Sequence, residues 1–136
     1  YYFEKIAQRL RNVRVCCGDW SRVLGEVPTI SHGVTGVFFD PPYAVDRKME
    51  YSSDDLTISD KVREWCLTNG DNPLFRIALC GYDDEHDMPD NWYVMKWETS
   101  GGYGAKSQTQ AKENGKKERI WFSPYCLVKQ KKGFIR

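Results

Sequence analysis

Val34-Thr35-Gly36-Val37-Phe38-Phe39-Asp40-Pro41-Pro42-Tyr43 holds the decisive pattern of this chain: an apolar run that stops abruptly at an acid, two prolines and an aromatic ring. A short continuous apolar run bounded by a turn signal reads as a buried strand, here Val34 to Phe39. Asp40 and Pro41 each precede a proline and are biased to extended backbone, so the segment leaving the strand is stiff. In open α/β sheets, ligands bind outside the carboxyl ends of strands, where this tetrad falls.

The tetrad has a chemistry of its own. The Asp40 carboxylate accepts a hydrogen bond from an amino N–H, and Pro41, lacking a backbone N–H, offers a carbonyl with no competing donor. Two acceptors aimed at one NH2 group draw its nitrogen out of conjugation with the ring and free its lone pair to attack an electrophile. Tyr43 can stack on a base, an interaction worth roughly 1–3 kcal/mol. A base inside a duplex is out of reach, so an enzyme of this kind must extrude it. This reading expects methylation of the amino group of adenine or cytosine. The plainer reading of Asp-Pro-Pro-Tyr is a rigid turn after a strand; the apolar strand before it favours the chemical one.

Outward from the tetrad, helices and strands alternate. Phe3, Ile6, Ala7 and Leu10 lie at helical spacing and predict an amphipathic helix over residues 1–11. Val13 to Cys17 reads as a short strand closed by Gly18-Asp19-Trp20, Ser21 to Leu24 as one helical turn, and Val27 to Gly33 as loop. Ala44 to Asp55 is polar, a loop suited to cover a site. Thr57 with Asp60 resembles a capping box for a helix striped by Ile58, Val62, Trp65 and Cys66 and ended by Asn69-Gly70. Leu74 to Leu79, Trp92 to Trp97 and Glu118 to Ser123 read as strands, the late ones as an antiparallel hairpin. The five tryptophans are assigned chiefly to the core. The alternation argues for a parallel-type α/β sheet in one domain, residues 1–136, with no internal repeat and no separate target-recognition domain.

Composition bounds the rest. The 136 residues, 40% hydrophobic and 14% aromatic, allow one domain with a modest core. A net charge of +1 means that any nucleic-acid contact must come from local patches. None of the five cysteines forms a C-x-x-C pair, although Cys16 and Cys17 are adjacent, and three of the five read as buried thiols of a reducing cytosol. Neither a membrane span nor a signal peptide is visible.

Gly18-Asp19-Trp20, Phe38 to Tyr43, Arg76 to Tyr82 and Glu118 to Pro124, in that order, resemble the DNA adenine N6-methyltransferases of phages and prophages, over about Val13 to Cys126. The resemblance implies a Rossmann-like sheet, S-adenosylmethionine as methyl donor and adenine in double-stranded DNA as acceptor, in the cytoplasm of a bacterium or phage-infected cell. It implies that Asp40, Pro41, Pro42 and Tyr43 hold the base, and that Asp19 and Trp20, with Asp40, lie at the cofactor. Asp19 also reads as the N-cap of the turn from Ser21.

The chain departs from that family in one respect. No strand followed by a Gly-rich turn precedes Asp40; the only glycine cluster is Gly101-Gly102-Tyr103-Gly104. A permuted order would need an apolar helix after it, and Ala105 to Lys117 is almost wholly polar. The expectation is therefore a partial sheet with its N-terminal strands and Gly-rich loop absent, late antiparallel strands, and weak cofactor binding by this chain alone. The chain's beginning at Tyr1 rather than Met fits that expectation.

Gly101 to Arg119 reads as a nucleic-acid-facing loop, with Gly101 and Gly102 for close approach and Lys106, Lys112, Lys116, Lys117 and Arg119 for phosphates. Its plainer reading is a solvated loop. Tyr82-Asp83-Asp84-Glu85-His86-Asp87 matches no defined metal loop and reads as a solvated turn, with Tyr82 and His86 as candidates to line the cleft. His32 reads as a loop residue, and no metal site is expected. The rival functions are cytosine-N4 or RNA amino methylation, and a catalytically incomplete DNA-binding subunit.

Overall fold

The computed structural model describes residues 1–42, 58–96 and 117–127. The predicted strand–helix–strand core is present: strand β1 (Thr35–Phe39), helix α2 (Ile58–Asn69) and strand β2 (Phe75–Tyr82), followed by β3 (Tyr93–Lys96) and β4 (Glu118–Phe122). An N-terminal helix, α1 (Tyr2–Leu10), precedes them. The sheet order is β1-β2-β4-β3. β1 and β2 are parallel, with Thr35 to Phe39 in register with Phe75 to Leu79. β4 runs antiparallel to both β2 and β3, so the last strand lies between its two predecessors. The molecule is thus a mixed α/β fold on a mixed four-stranded sheet.

One face of that sheet carries the core. Val62 and Cys66 of α2 pack on Phe75, Ile77 and Leu79 of β2 and on Trp121 of β4, with Trp92 closing the cluster. A chain of edge-to-face rings runs along its margin: Trp20 on Phe39 at 5.6 Å, Phe39 on Trp65 at 5.4 Å and Trp65 on Phe75 at 5.2 Å. The assignment of tryptophans to the core holds for these four; Trp97 lies outside the described residues. On the opposite face, Ala78, Cys80 and Ile120 form a smaller cluster with Met95 and Phe122. Gly70 ends α2 at a close approach, since a Cβ there would lie 2.5 Å from the Trp92 ring.

Beyond β4 the backbone keeps its hold on β2. Ile77 N–H donates to Ser123 Oγ (3.0 Å), Ser123 N–H donates to the Ile77 carbonyl (2.9 Å), and the Cys126 thiol donates to the same carbonyl (3.2 Å). Ser123 has no exposed surface, and its carbonyl accepts from Cys126 N–H at 2.9 Å, so its backbone groups are both paired.

Three expectations need correction. Val13 to Cys17 is exposed coil and pairs with no described strand; Val15 is 95% exposed. A strand needs a partner for its N–H and C=O groups, and pattern alone supplies none. β1 is not buried on both faces: it lies at the edge of the described sheet with alternating exposure, Val37 and Phe39 inward and Phe38 66% exposed. The acidic turn after β2 is only half solvated. Asp83 and Asp84 are exposed, while Glu85 is half-buried and His86 is buried.

The helix over residues 1–11 is present as α1, yet none of its residues is buried, and Phe3 is 83% exposed. The capping residue Thr57 lies outside the described residues. All five cysteines are free; Cys66 and Cys80 are buried, Cys126 is half-buried, and Cys16 and Cys17 are exposed. Burial pushes the Cys66 thiol up to about 12 and the Cys80 thiol up to about 11, so both stay protonated and unreactive. Among the described residues no helix is long and apolar enough to cross a membrane.

Candidate functional site at the end of the parallel strands

Phe39↔Leu79 is the last rung between β1 and β2. The next residues along are Asp40 and Cys80, so the tetrad leaves the sheet at the C-terminal ends of the two parallel strands. Asp40 is exposed, Pro41 is buried and Pro42 half-buried, an arrangement that anchors the loop through its first proline and leaves the acid at the surface. Tyr43 and Ala44 to Asp55 lie outside the described residues.

Asp19 and Trp20 come to the same place. The edge contact of Trp20 with Phe39 sets the turn Trp20–Val23 beside the residue that precedes Asp40. Asp19 caps that turn: its Oδ1 accepts from Ser21 N–H at 2.9 Å and from Ser21 Oγ at 2.5 Å. The Ser21 hydroxyl and backbone bonds hold the Asp19 carboxyl below its ordinary value, with smaller help from Lys61 and Arg22. The capping role is therefore real, and it leaves the carboxylate exposed.

Glu118 carries no site signal of its own in the sequence. It opens β4 in register with Tyr82, the last residue of β2, at the same end of the sheet as Asp40. Burial and the nearby Asp40 charge both raise its carboxyl above the ordinary value. Asp40 and Glu118 also add to the raising of the Cys80 thiol, whose first cause is burial. The two acids and the thiol thus share one neighbourhood. The only signal in the sequence was a carboxylate at the start of a strand; its meaning depends on the antiparallel register.

The turn after β2 is the support beneath that end. His86 Nε2 lies 3.2 Å from the Cys80 carbonyl, which can only accept, so Nε2 carries the proton. Its ring meets Trp121 edge-on at 5.1 Å. Glu85 Oε1 accepts from Ser59 Oγ of α2 (2.7 Å), and Oε2 accepts from Tyr82 N–H (3.2 Å). Arg63 of α2 donates twice to the Asp87 carbonyl, at 3.0 and 2.6 Å. Tyr82 and His86, the cleft candidates, are both buried. His32, read as a loop residue, ends the short turn Ile30–His32 and is exposed. No group of acids, cysteines and histidines suited to a metal ion occurs among the described residues.

Of the predicted DNA-facing residues, Gly101, Gly102, Lys106, Lys112 and Lys116 lie outside the described residues. Lys117 is exposed, and its carbonyl accepts from Asp83 N–H at 2.9 Å. The Arg119 guanidinium is turned onto Asp83 at 3.0 Å and onto the Glu118 carbonyl at 2.9 Å, its side chain only 12% exposed. Both residues stand at the Asp40 end of the sheet. Comparison of the chain with protein-family models, with curated proteins and with solved structures finds no match.

Proposed function

We propose that this chain belongs to an S-adenosylmethionine-dependent DNA methyltransferase acting on the N6 amino group of adenine. The observation that carries the reading is the exit of Asp40-Pro41 from the C-terminal end of a parallel strand, with Trp20 packed on the residue before it. The sheet supports it too: a parallel pair followed by an antiparallel last strand set between its predecessors fits a partial Rossmann-like sheet with late antiparallel strands. DNA as substrate and five free thiols fit a reducing cytoplasm.

The groups at the end of β1 are acceptors, the Asp40 carboxylate and the Pro41 carbonyl, and the Asp19 carboxylate precedes the Trp20 turn. They suit the amino and hydroxyl groups of an adenosyl cofactor and the positive charge of a sulfonium. S-adenosylmethionine supplies the electrophilic methyl carbon. Asp40 and the Pro41 carbonyl hold the two N–H bonds of the flipped base, Pro42 keeps the loop extended, and Tyr43 stacks on the ring. Catalysis is positioning plus stabilisation of the positive charge that grows on nitrogen. Gly101, Gly102, Lys106, Lys112, Lys116 and Lys117 would follow the phosphates of the duplex, whereas Arg119 is held by Asp83 and does not face outward.

Transfer of labelled methyl from S-adenosylmethionine to unmethylated DNA, followed by nucleoside digestion, tests the reading. The expected product is N6-methyladenine, with Asp40→Ala slower by about 10²–10³-fold at an unchanged thermal midpoint. Label in N4-methylcytosine would reassign the base, and full activity in Asp40→Ala would overturn the mechanism.

A further inference from the structure

We infer that Trp65 is a positioning residue of the site: through the Phe39 ring it fixes where the Asp19-Trp20 turn stands relative to Asp40. The inference rests on the adenine-amino reading of the site and names a residue which that reading does not contain. Its ground is a run of ring contacts that joins α2 and β2 to the site. The Phe39 ring lies between two others, meeting Trp20 at 5.6 Å and Trp65 at 5.4 Å, with interplanar angles of 88° and 71°. Trp65 in turn meets Phe75 at 5.2 Å. Phe75 is buried and pairs with Thr35 at the start of β1, whereas Phe39 stands at its end. Trp65 thus touches rings rooted at both ends of the parallel pair.

The two carboxylates of the proposed site are held in different ways. Asp40 follows the last rung of the β1–β2 ladder, so backbone pairing sets its place. Asp19 belongs to a turn whose hydrogen bonds among the described residues are internal. Ser21 donates twice to Asp19 Oδ1, Arg22 N–H to the Asp19 carbonyl and Leu24 N–H to the Ser21 carbonyl. Such bonds shape the turn without placing it. Its tie to the sheet is the Trp20 ring, packed on Phe39. Edge-to-face pairs are directional, so Trp65 on one side of Phe39 sets how that ring receives Trp20 on the other. Lys61, four residues before Trp65 on the same face of α2, adds its charge at Asp19, so that face of the helix looks toward the turn.

The chemistry gives this brace its consequence. In the proposed reaction Asp19 and Trp20 lie at the methyl donor and Asp40 at the accepting amino group. In-line transfer needs the methyl carbon and the nitrogen about 3–3.5 Å apart, and a misplacement of ~1 Å costs about 10²-fold in rate. Neither carboxylate has to be altered for that loss; a shift of the turn suffices.

Three variants test it. Trp65→Leu keeps an apolar side chain without the ring, Trp65→Phe keeps a ring, and Ile120→Ala weakens the small cluster on the other face of the sheet. The first readout needs no turnover: the indole N–H resonance of Trp20 and its nuclear Overhauser contacts with the Phe39 ring. Both should change in Trp65→Leu, return toward wild type in Trp65→Phe, and stay unmoved in Ile120→Ala however far its melting temperature falls. The second readout is methyl transfer. Trp65→Leu should lose about 10²-fold in kcat/KM for S-adenosylmethionine, with KM for DNA unchanged and most of the loss restored in Trp65→Phe. Trp20 signals unmoved in Trp65→Leu, or moved as much in Ile120→Ala, would reduce Trp65 to a core residue and overturn the role. A kcat/KM that merely follows melting temperature across the three variants would overturn it too. Absence of transfer by the wild type would overturn the proposed function and the positioning role with it, while the Trp20 signals would still show whether Trp65 holds the turn.

Discussion

Gly81 is the residue at which one added methyl group tests the packing beneath the site. A Cβ there would come within 2.6 Å of His86 Nε2 and 2.7 Å of its Cδ2. The ring has no easy retreat, since it is wedged edge-on against Trp121 and bonded to the Cys80 carbonyl. Gly81→Ala should therefore destabilise the fold by about 1–3 kcal/mol, the usual cost of overpacking a filled core. Gly36 is the matched control: nothing lies within 4 Å of its Cβ position, and its φ is not in the left-handed region. Gly36→Ala should hold or raise stability by about 0.4–1 kcal/mol through the unfolded chain. Urea unfolding of the two variants separates these outcomes, and equal midpoints would mean that the His86 ring moves aside at no cost.

At the scale of elements, the turn Tyr82–Asp87 shows why part of the molecule was illegible in the sequence. Four acids in six residues read as solvated, yet Glu85 finds its hydroxyl partner on α2, at Ser59, 26 residues away. Long-range pairing also decided the fate of Val13 to Cys17, whose apolar pattern suggested a strand but which pairs with no described strand and is coil. By contrast, β1, β2, β3, β4 and α2 were legible because each carries its own apolar period and its own stop signal. The position of Asp40 followed from β1 alone; that of Glu118 required the β2–β4 register, which no local pattern encodes. The buried turn also carries a pH dependence. Burial lowers the His86 value, against a weaker opposing pull from Glu85 and the Cys80 carbonyl. A depressed imidazole means that the folded state refuses a proton which the unfolded chain accepts. Its contribution is complete above the ordinary histidine range and is lost as pH falls through it. Urea midpoints between about pH 5 and pH 8 should thus decline on the acid side, and His86→Gln should flatten that part of the curve. An unchanged slope in the variant would place the acid sensitivity on other groups.

Taken over the described residues of the whole molecule, the weight of packing lies on one side of the sheet. α2, the Trp20 turn and the Trp92 segment all press on the face made by Val37, Phe39, Ile77, Leu79 and Trp121. That one-sidedness gives β1 a definite register, because a slip of one residue would exchange inward Val37 and Phe39 for outward Gly36 and Phe38. The site depends on the same register, since it sets Asp40 beside Cys80 and across β2 from Glu118. Two substitutions separate the faces. Leu79 is fully buried, and Leu79→Ala should cost about 2–5 kcal/mol by leaving a cavity under the rung that precedes Asp40. Phe38, one position before that rung on the open face, is largely exposed, and Phe38→Ser should change stability by no more than about 0.5 kcal/mol. Calorimetric melting of both variants decides the matter. A large loss in Phe38→Ser would mean that the outward face of β1 is covered in solution, and that the register of the site is held from both sides.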